Sequence, residues 1–568
     1  MRARNILLAP LMAGALVVAA CGAQNQESGG EEPAGEASVA PITAQDINPK
    51  DRADLQEGGT LRLDVGEGTF GGTFNNRSVN GNTLDLQEAL NSVTPLYFTF
   101  NEKGVGSPNP AYVISAEKTN DNPTAVHVKL NPKAVWGDGS PVDVDDFIAT
   151  WKALNGENKK FQAASTEGWD GIESVTQGAD KFDFTVTWKG AYPDWSQVIG
   201  SGPMKAESVK DPETFNEGWD GLKNEWLSGP FKVQSFNKTE KLLTLGPNEK
   251  WWGTKPLLDK ITYREISTDA VAAAFVNDEL DSFDIGPDPD AYKRASSVKD
   301  AVVRKAAGPN YRHITFNTKA GLLTDKTIRQ AILRGLDRIA IGSSDLAGID
   351  WPVAELNNHF LLTTQEGYED VAKATGFNYD PEKAKSDLDA AGWKAGADGI
   401  REKDGKKLTV KFSQLSGVPV SANEALQVQN QLKEIGIKID IVNVPVAKFF
   451  DGSLMTEGEF ELLAFSYIGT PFPFQFPKQL AASDSESNFA QISIPKVDDL
   501  IQQLGTEPDQ VKRAEISNEI SRILWEDVST LPLYQRPELK AAKAKLANFG
   551  AFGLSDRAFL WENVGWEK

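Results

Sequence analysis

LTVKFSQLSGVPVSANEALQVQNQLKEIGIKIDIVNV, residues Leu408 to Val444, reads as a strand, a helix and a second strand. LTVKFS alternates apolar and polar side chains, the period of a pleated strand with one face buried. Ser421 and Glu424 stand at the S-x-x-E spacing of a capping box, which predicts a helix beginning there. Ala425, Val428, Leu432 and Ile435 then recur at helical spacing, Gly436 ends the helix, and IKIDIVNV alternates again. Elements in this order form a βαβ unit, whose right-handed crossover makes its strands parallel. The predicted fold class is therefore α/β.

The same grammar extends outward. Asp380-Pro381 predicts a helix start with Asp as cap and Pro in the first turn, closed by Gly392. Near the other end GTLRLDV has the look of an opening strand, and AVHVKLN places Val126, Val128 and Leu130 on one face. WGDGSPVDVDDFIATWKAL turns on Asp138-Gly139 and enters a helix on which Val144, Phe147, Ile148, Trp151 and Leu154 share a face. Asp143 is the expected N-cap there, with Asp145 and Asp146 at the positive end of the helix dipole, so the acidic trio reads as helix-start chemistry and not as a metal site. The roughly 510 residues after Gly59 exceed one core, and two or three lobes are expected.

The N-terminus reads as an export signal. Arg2 and Arg4 precede an apolar run from Ile6 to Ala20, too short to span a bilayer. Val18, Ala19, Ala20 and Cys21 resemble the lipobox of bacterial lipoproteins, and Cys21 is the only cysteine in 568 residues. The expectation is a signal peptide over residues 1–20, lipid attached at Cys21, and a disordered tether over residues 21–54, rich in Gly, Ala, Glu, Gln and Pro. A single cysteine excludes an internal disulfide. The formal net charge is −21, and −23 once Arg2 and Arg4 are removed, which argues against nucleic acid as a partner. No later segment approaches the apolar length of a membrane span.

Six further motifs occur in a family's order. They are VHVKLNPKAVWGDGSPVDVDDFIATWKAL, NEWLSGPFKVQSF, LTLGPNEKWWG, VNDELDSFDIG, RHITFNTKAGLLTDKTIRQAILRGLDR and YDPEKAKSDLDAAGW. Together, behind a lipobox, they resemble the dipeptide and oligopeptide solute-binding proteins of ABC importers, solute-binding protein family 5, which also includes binders of nickel, haem and oligosaccharides. The resemblance implies a two-lobed periplasmic-binding-protein (flytrap) fold with an extra inserted small lobe. By that pattern lobe one comprises residues 55–80, 226–309 and 531–568, the inserted lobe residues 81–225, and lobe two residues 310–530. The resemblance further implies no catalysis, no cofactor and no metal. Instead a small peptide or similar solute is captured by lobe closure and passed to an ABC permease and its ATPase, by a monomer anchored outside the cytoplasm.

The resemblance also implies where ligand would lie: Gly66, Glu67, Gly68, Thr69 and Phe70 after the first strand, and Ser466, Tyr467, Ile468, Gly469 and Thr470 after a strand of lobe two. Both would offer backbone groups to an extended peptide. In peptide-binding relatives an aspartate of a Trp-x-Ala-Asp-Tyr run pairs with the peptide's ammonium group. In FELLAFSYIGTPFPF the matching position is Thr470, with Tyr467 at the aromatic position. A buried ammonium without counter-ion costs several kcal/mol, so either another carboxylate substitutes or the ligand end is not a bare amine. The alternative is the same fold binding an oligosaccharide, opine or metal chelate; a secreted hydrolase is a third reading, for which no GxSxG or HExxH motif appears. His127, His313 and His359 are scattered, which speaks against a three-histidine zinc site. The two EGWDG copies read as loops. No GxxxxGK[ST] loop is present, so ATP hydrolysis would belong to a partner.

Overall fold

The computed structural model describes residues 43–450, 452–555 and 558–568. The predicted opening strand, Thr60–Gly66, buries Leu61, Leu63 and Val65 on one face. It pairs in parallel with Lys260–Ile266, and Leu242–Pro247 and Phe231–Asn237 complete a four-stranded sheet. Residues of the inserted lobe form a second, antiparallel sheet of Val113–Asp121, Thr124–Leu130, Asp183–Trp188 and Ile172–Gln177. Val126 and Val128 pack with Phe147 of the helix Val144–Leu154 and, in the same continuous core, with Leu61, Leu63 and Tyr263. The inserted lobe is thus fused to lobe one through shared apolar burial. At the helix start Asp143 and Asp146 form a reciprocal capping box. Asp146 also accepts from Trp136 Nε1 at 2.8 Å and from the Ala206 amide at 2.8 Å, which gives the aromatic of the Trp-Gly-Asp-Gly turn its role.

A six-stranded sheet organises the second core, in the order Ser282–Asp284, Thr530–Lys543, Ala301–Phe316, Leu462–Ile468, Thr409–Ser416, Lys438–Pro445. The βαβ unit has its predicted parallel register, from Thr409 opposite Lys438 to Ser416 opposite Pro445. Its capping box does not form. The helix starts two residues before Ser421, at Pro419, whose fixed φ and missing N–H suit a first turn. Ser421 and Glu424 consequently join Ala425, Val428 and Leu432 on the buried face. Ser421 Oγ accepts from the Leu415 amide at 2.9 Å, and the Glu424 carboxylate receives Arg312 Nε and Nη2 at 2.8 and 2.5 Å. The helix Pro381–Ala390 is capped by Asp380 as expected.

The long strands Ala301–Phe316 and Thr530–Lys543 run side by side through both halves of this sheet, with their register broken between Ala307 and Tyr311. At the break, a side chain on Gly308 would stand 2.9 Å from the Glu538 amide and 3.0 Å from the Arg536 carbonyl, so only glycine lets the strands approach. Leu531 and Gln535, expected in lobe one, pair with Ile314 and Tyr311, expected in lobe two. Val271, Phe275, Phe283 and Ala291, assigned to lobe one, pack in the second core with Ile314, Val410 and Val428, because they cover the near half of a sheet that continues across the break.

The expected tether also ends earlier. Asp46 bridges Ala551, Asn48 Nδ2 donates to the Leu546 carbonyl at 3.1 Å, and Leu55–Gln56 pairs with Trp566 and Glu567. Backbone pairing with the last strands orders residues 43–54, despite their few large apolar side chains. The signal peptide, Cys21 and the rest of the tether lie outside the described residues.

Candidate functional site

Where the crossing strands meet lobe one, a cavity of about 240 Å³ opens. Its walls are the end of the first strand (Asp64 to Gly66), Asp85 and Glu88 of the helix Leu84–Leu90, the break at Gly308–Asn310, the return strand at Arg536 to Lys540, and Ile468 from lobe two. Elements expected in both lobes therefore line one space. Farther out the lobes touch again. Arg513 of the helix Gln510–Asp527 makes a buried two-pronged pair with Asp194 of the inserted lobe, both bonds 2.7 Å long. Gln475 Nε2 donates to Gln197 Oε1 at 2.6 Å, and Phe472 meets Phe100 edge-on at 5.5 Å.

Of the ten expected ligand-contacting residues, Gly66 and Ile468 line this cavity. The other eight stand elsewhere, for local reasons. The Gly68 amide donates to Glu265 at 3.2 Å and the Phe70 amide donates to the same carboxylate, so neither N–H is offered to a ligand. The Thr69 hydroxyl closes the turn on the Gly66 carbonyl at 2.7 Å, Glu67 is exposed beyond it, and Phe70 is buried against Phe74 and Phe236. In the second segment Ser466 Oγ accepts from Arg312 Nη1 at 3.3 Å, and the half-buried Tyr467 ring lies parallel to His313 at 4.1 Å. The Gly469 amide donates to the Pro309 carbonyl at 2.7 Å. Thr470 is a turn residue: its carbonyl accepts from Gln365 Nε2 at 2.9 Å and its hydroxyl oxygen from the Phe472 amide at 3.1 Å.

The charged wall of the cavity escaped sequence reading. Burial pushes the Asp64 carboxyl up to about 7, an effect that Lys540 opposes and Glu88 and Asp284 reinforce. Arg536 is pushed below the usual arginine range, first by burial and also by the nearby Arg312. The only available signal was faint: Asp64 occupies the polar phase of an alternating strand, and Arg536-Pro537 interrupts another. His127 is bonded to Asp183 at 2.9 Å, His313 is stacked on Tyr467, and His359 is buried. His359 Nε2–H donates to the Thr530 carbonyl at 3.0 Å, leaving Nδ1 to accept from Ser521 Oγ at 2.8 Å. Among the described residues no cluster of three or more His, Cys, Asp or Glu has metal-holding geometry.

Residues 107–488 match the family model described as bacterial extracellular solute-binding proteins, family 5 middle. The chain belongs to this family. The family 5 protein is 34% identical over 556 residues to the oligopeptide-binding protein OppA of Mycobacterium tuberculosis, covering 97% of this chain and 92% of the relative. It is 26% identical over 489 residues to the oligopeptide-binding protein AppA of Bacillus subtilis, covering 83% and 82%. Among solved structures, a periplasmic EDTA-binding protein, EppA, superimposes with a TM-score of 0.81 at 24% identity, covering 94% of this chain and all of that one. The Bacillus subtilis AppA structure with a nonapeptide gives 0.70 at 22%, covering 90% and all. The fold is that of the two-lobed periplasmic-binding proteins. No helix among the described residues is long and apolar enough to cross a membrane.

Proposed function

We propose that this family 5 protein is the lipid-anchored, extracytoplasmic binding component of an ABC importer that captures oligopeptides or similar solutes by lobe closure and delivers them to a permease. The observation that carries the reading is the two-sided cavity at the crossing strands, lined by Gly66 from one lobe and Ile468 from the other, in a chain with 34% identity to an oligopeptide-binding protein. Binding at such a cleft needs no chemistry: a ligand that contacts both lobes stabilises the closed state, and the closed state is what a transporter distinguishes. Mass spectrometry of whatever co-purifies with the protein, followed by calorimetry on the identified solute, tests the ligand class; a peptide is expected. A metal chelate is the second reading, favoured by the charged wall of the cavity and by the fold shared with an EDTA-binding protein. Anchoring is tested separately. Cys21→Ser is expected to release the protein from membranes or leave the precursor uncut, and full membrane retention after cleavage behind Ala20 would refute lipid attachment.

A further inference from the structure

Buried arginines among the described residues are compensated. Arg312 holds Glu424, Arg513 holds Asp194, Arg338 holds Glu355 at 2.7 Å and Arg329 holds Asp527 at 2.8 Å. Arg304 is satisfied by the Phe549 and Leu546 carbonyls. Arg536 departs from this pattern. It lines the cleft cavity at the crossing point, and among the described residues its guanidinium makes no hydrogen bond or ion pair. The carboxylates that attract it are already engaged, Glu424 with Arg312 and Asp345 with Asn423 at 2.7 Å and Tyr534 at 3.1 Å. A half-buried guanidinium with five unspent donors presents a planar fork suited to a carboxylate.

The same cavity is lined by Asp64, also without a side-chain partner among the described residues. Lys540 is the cation nearest to tempering it, and Lys540 lies 4.0 Å from Asp284 as well. Leaving opposite charges desolvated and unpaired in one cavity is costly unless a ligand brings the counter-charges. We propose that Arg536 is the carboxylate receptor of the cleft and Asp64 its receptor for an ammonium group, so that the preferred solute is a zwitterion held between the crossing strand and lobe one. Asp64 then supplies from lobe one the anionic anchor that Thr470 does not supply from lobe two. This deepens the oligopeptide reading above and rests on it.

The test uses full-length protein stripped of ligand by unfolding and refolding, and a mixed-sequence library of tri- to hexapeptides. The library is prepared as free acids, as C-terminal amides and as N-acetylated acids, and retention is read by native mass spectrometry. Free zwitterionic peptides are expected to be retained at least tenfold better than either capped form. Arg536→Gln should abolish discrimination against the amides while keeping that against acetylation, and Asp64→Asn should do the reverse. Preference for free over acetylated amines should shrink as pH falls below 7 and Asp64 protonates. Equal retention of amides or of acetylated peptides by the unsubstituted protein, which needs no variant to fold, would overturn the corresponding receptor and leave oligopeptide binding intact. Retention of Fe(III)-EDTA but of no peptide, lost in Arg536→Gln, would overturn the oligopeptide reading and Asp64's role while keeping Arg536 as a carboxylate receptor. Retention of neither would overturn both.

Discussion

Removing the Glu424 carboxylate would leave Arg312 charged, buried and without its two-pronged partner. Breaking one side of such a pair costs roughly 3–5 kcal/mol, whereas replacing both sides with well-packed apolar residues is often neutral. Glu424→Ala is therefore expected to lower unfolding free energy by about that amount in denaturant titration, and Arg312→Met with Glu424→Leu should recover most of it. His359 gives a pH dependence of known sign. Burial holds its imidazole at about 4, below the usual 6.5, so the folded protein resists a proton that the unfolded chain accepts. Stability contributed by the neutral form is present above pH 6.5 and lost as pH falls toward 4, by up to about 3 kcal/mol. Melting curves over that range should be flatter in His359→Gln than in the natural protein.

The crossing strands depend on Gly308, since a methyl group there would press on the Glu538 amide and Arg536 carbonyl. Gly308→Ala should cost about 1–3 kcal/mol of stability and change ligand affinity at the same time, because the displaced strand carries Arg536. A change in melting temperature with unaltered affinity would show that the strand does not transmit to the cleft. Elements of this kind were legible where periodicity is local. The parallel pair around Pro419–Glu434, the Asp380 cap and the Asp143 helix start all follow from residues within a few positions of one another. The S-x-x-E spacing misled because Pro419 began the helix first and Arg312, distant in sequence, claimed Glu424. Of the residues expected at the ligand site, Gly66 and Ile468 line the cavity. Asp64 and Arg536 come from opposite ends of the chain, and nothing near either one in sequence announces the other.

Arg513 and Asp194 join the helix Gln510–Asp527 to the inserted lobe, so under the proposed capture by lobe closure, opening would have to break a buried ion pair. Arg513→Ala is expected to raise the radius of gyration in small-angle scattering and to weaken ligand binding ten- to a hundredfold, about 1.4–3 kcal/mol, since less of the protein is then closed. Unchanged scattering would mean that the pair only braces a shape held by other contacts. In the natural protein, ligand at a hundredfold excess over its dissociation constant should stabilise by about 2.7 kcal/mol. A different consequence follows from the pairing of Leu55–Gln56 with Trp566 and Glu567, and of Asp46 with Ala551. The two ends of the described chain are thus stitched to each other, so the polypeptide is nearly a ring. A circular permutant that joins Lys568 to residue 43 through a short Gly-Ser linker, and is opened in the exposed hairpin at Lys238–Glu240, should fold and bind as the natural protein does, showing that order along the backbone is dispensable to the clamp.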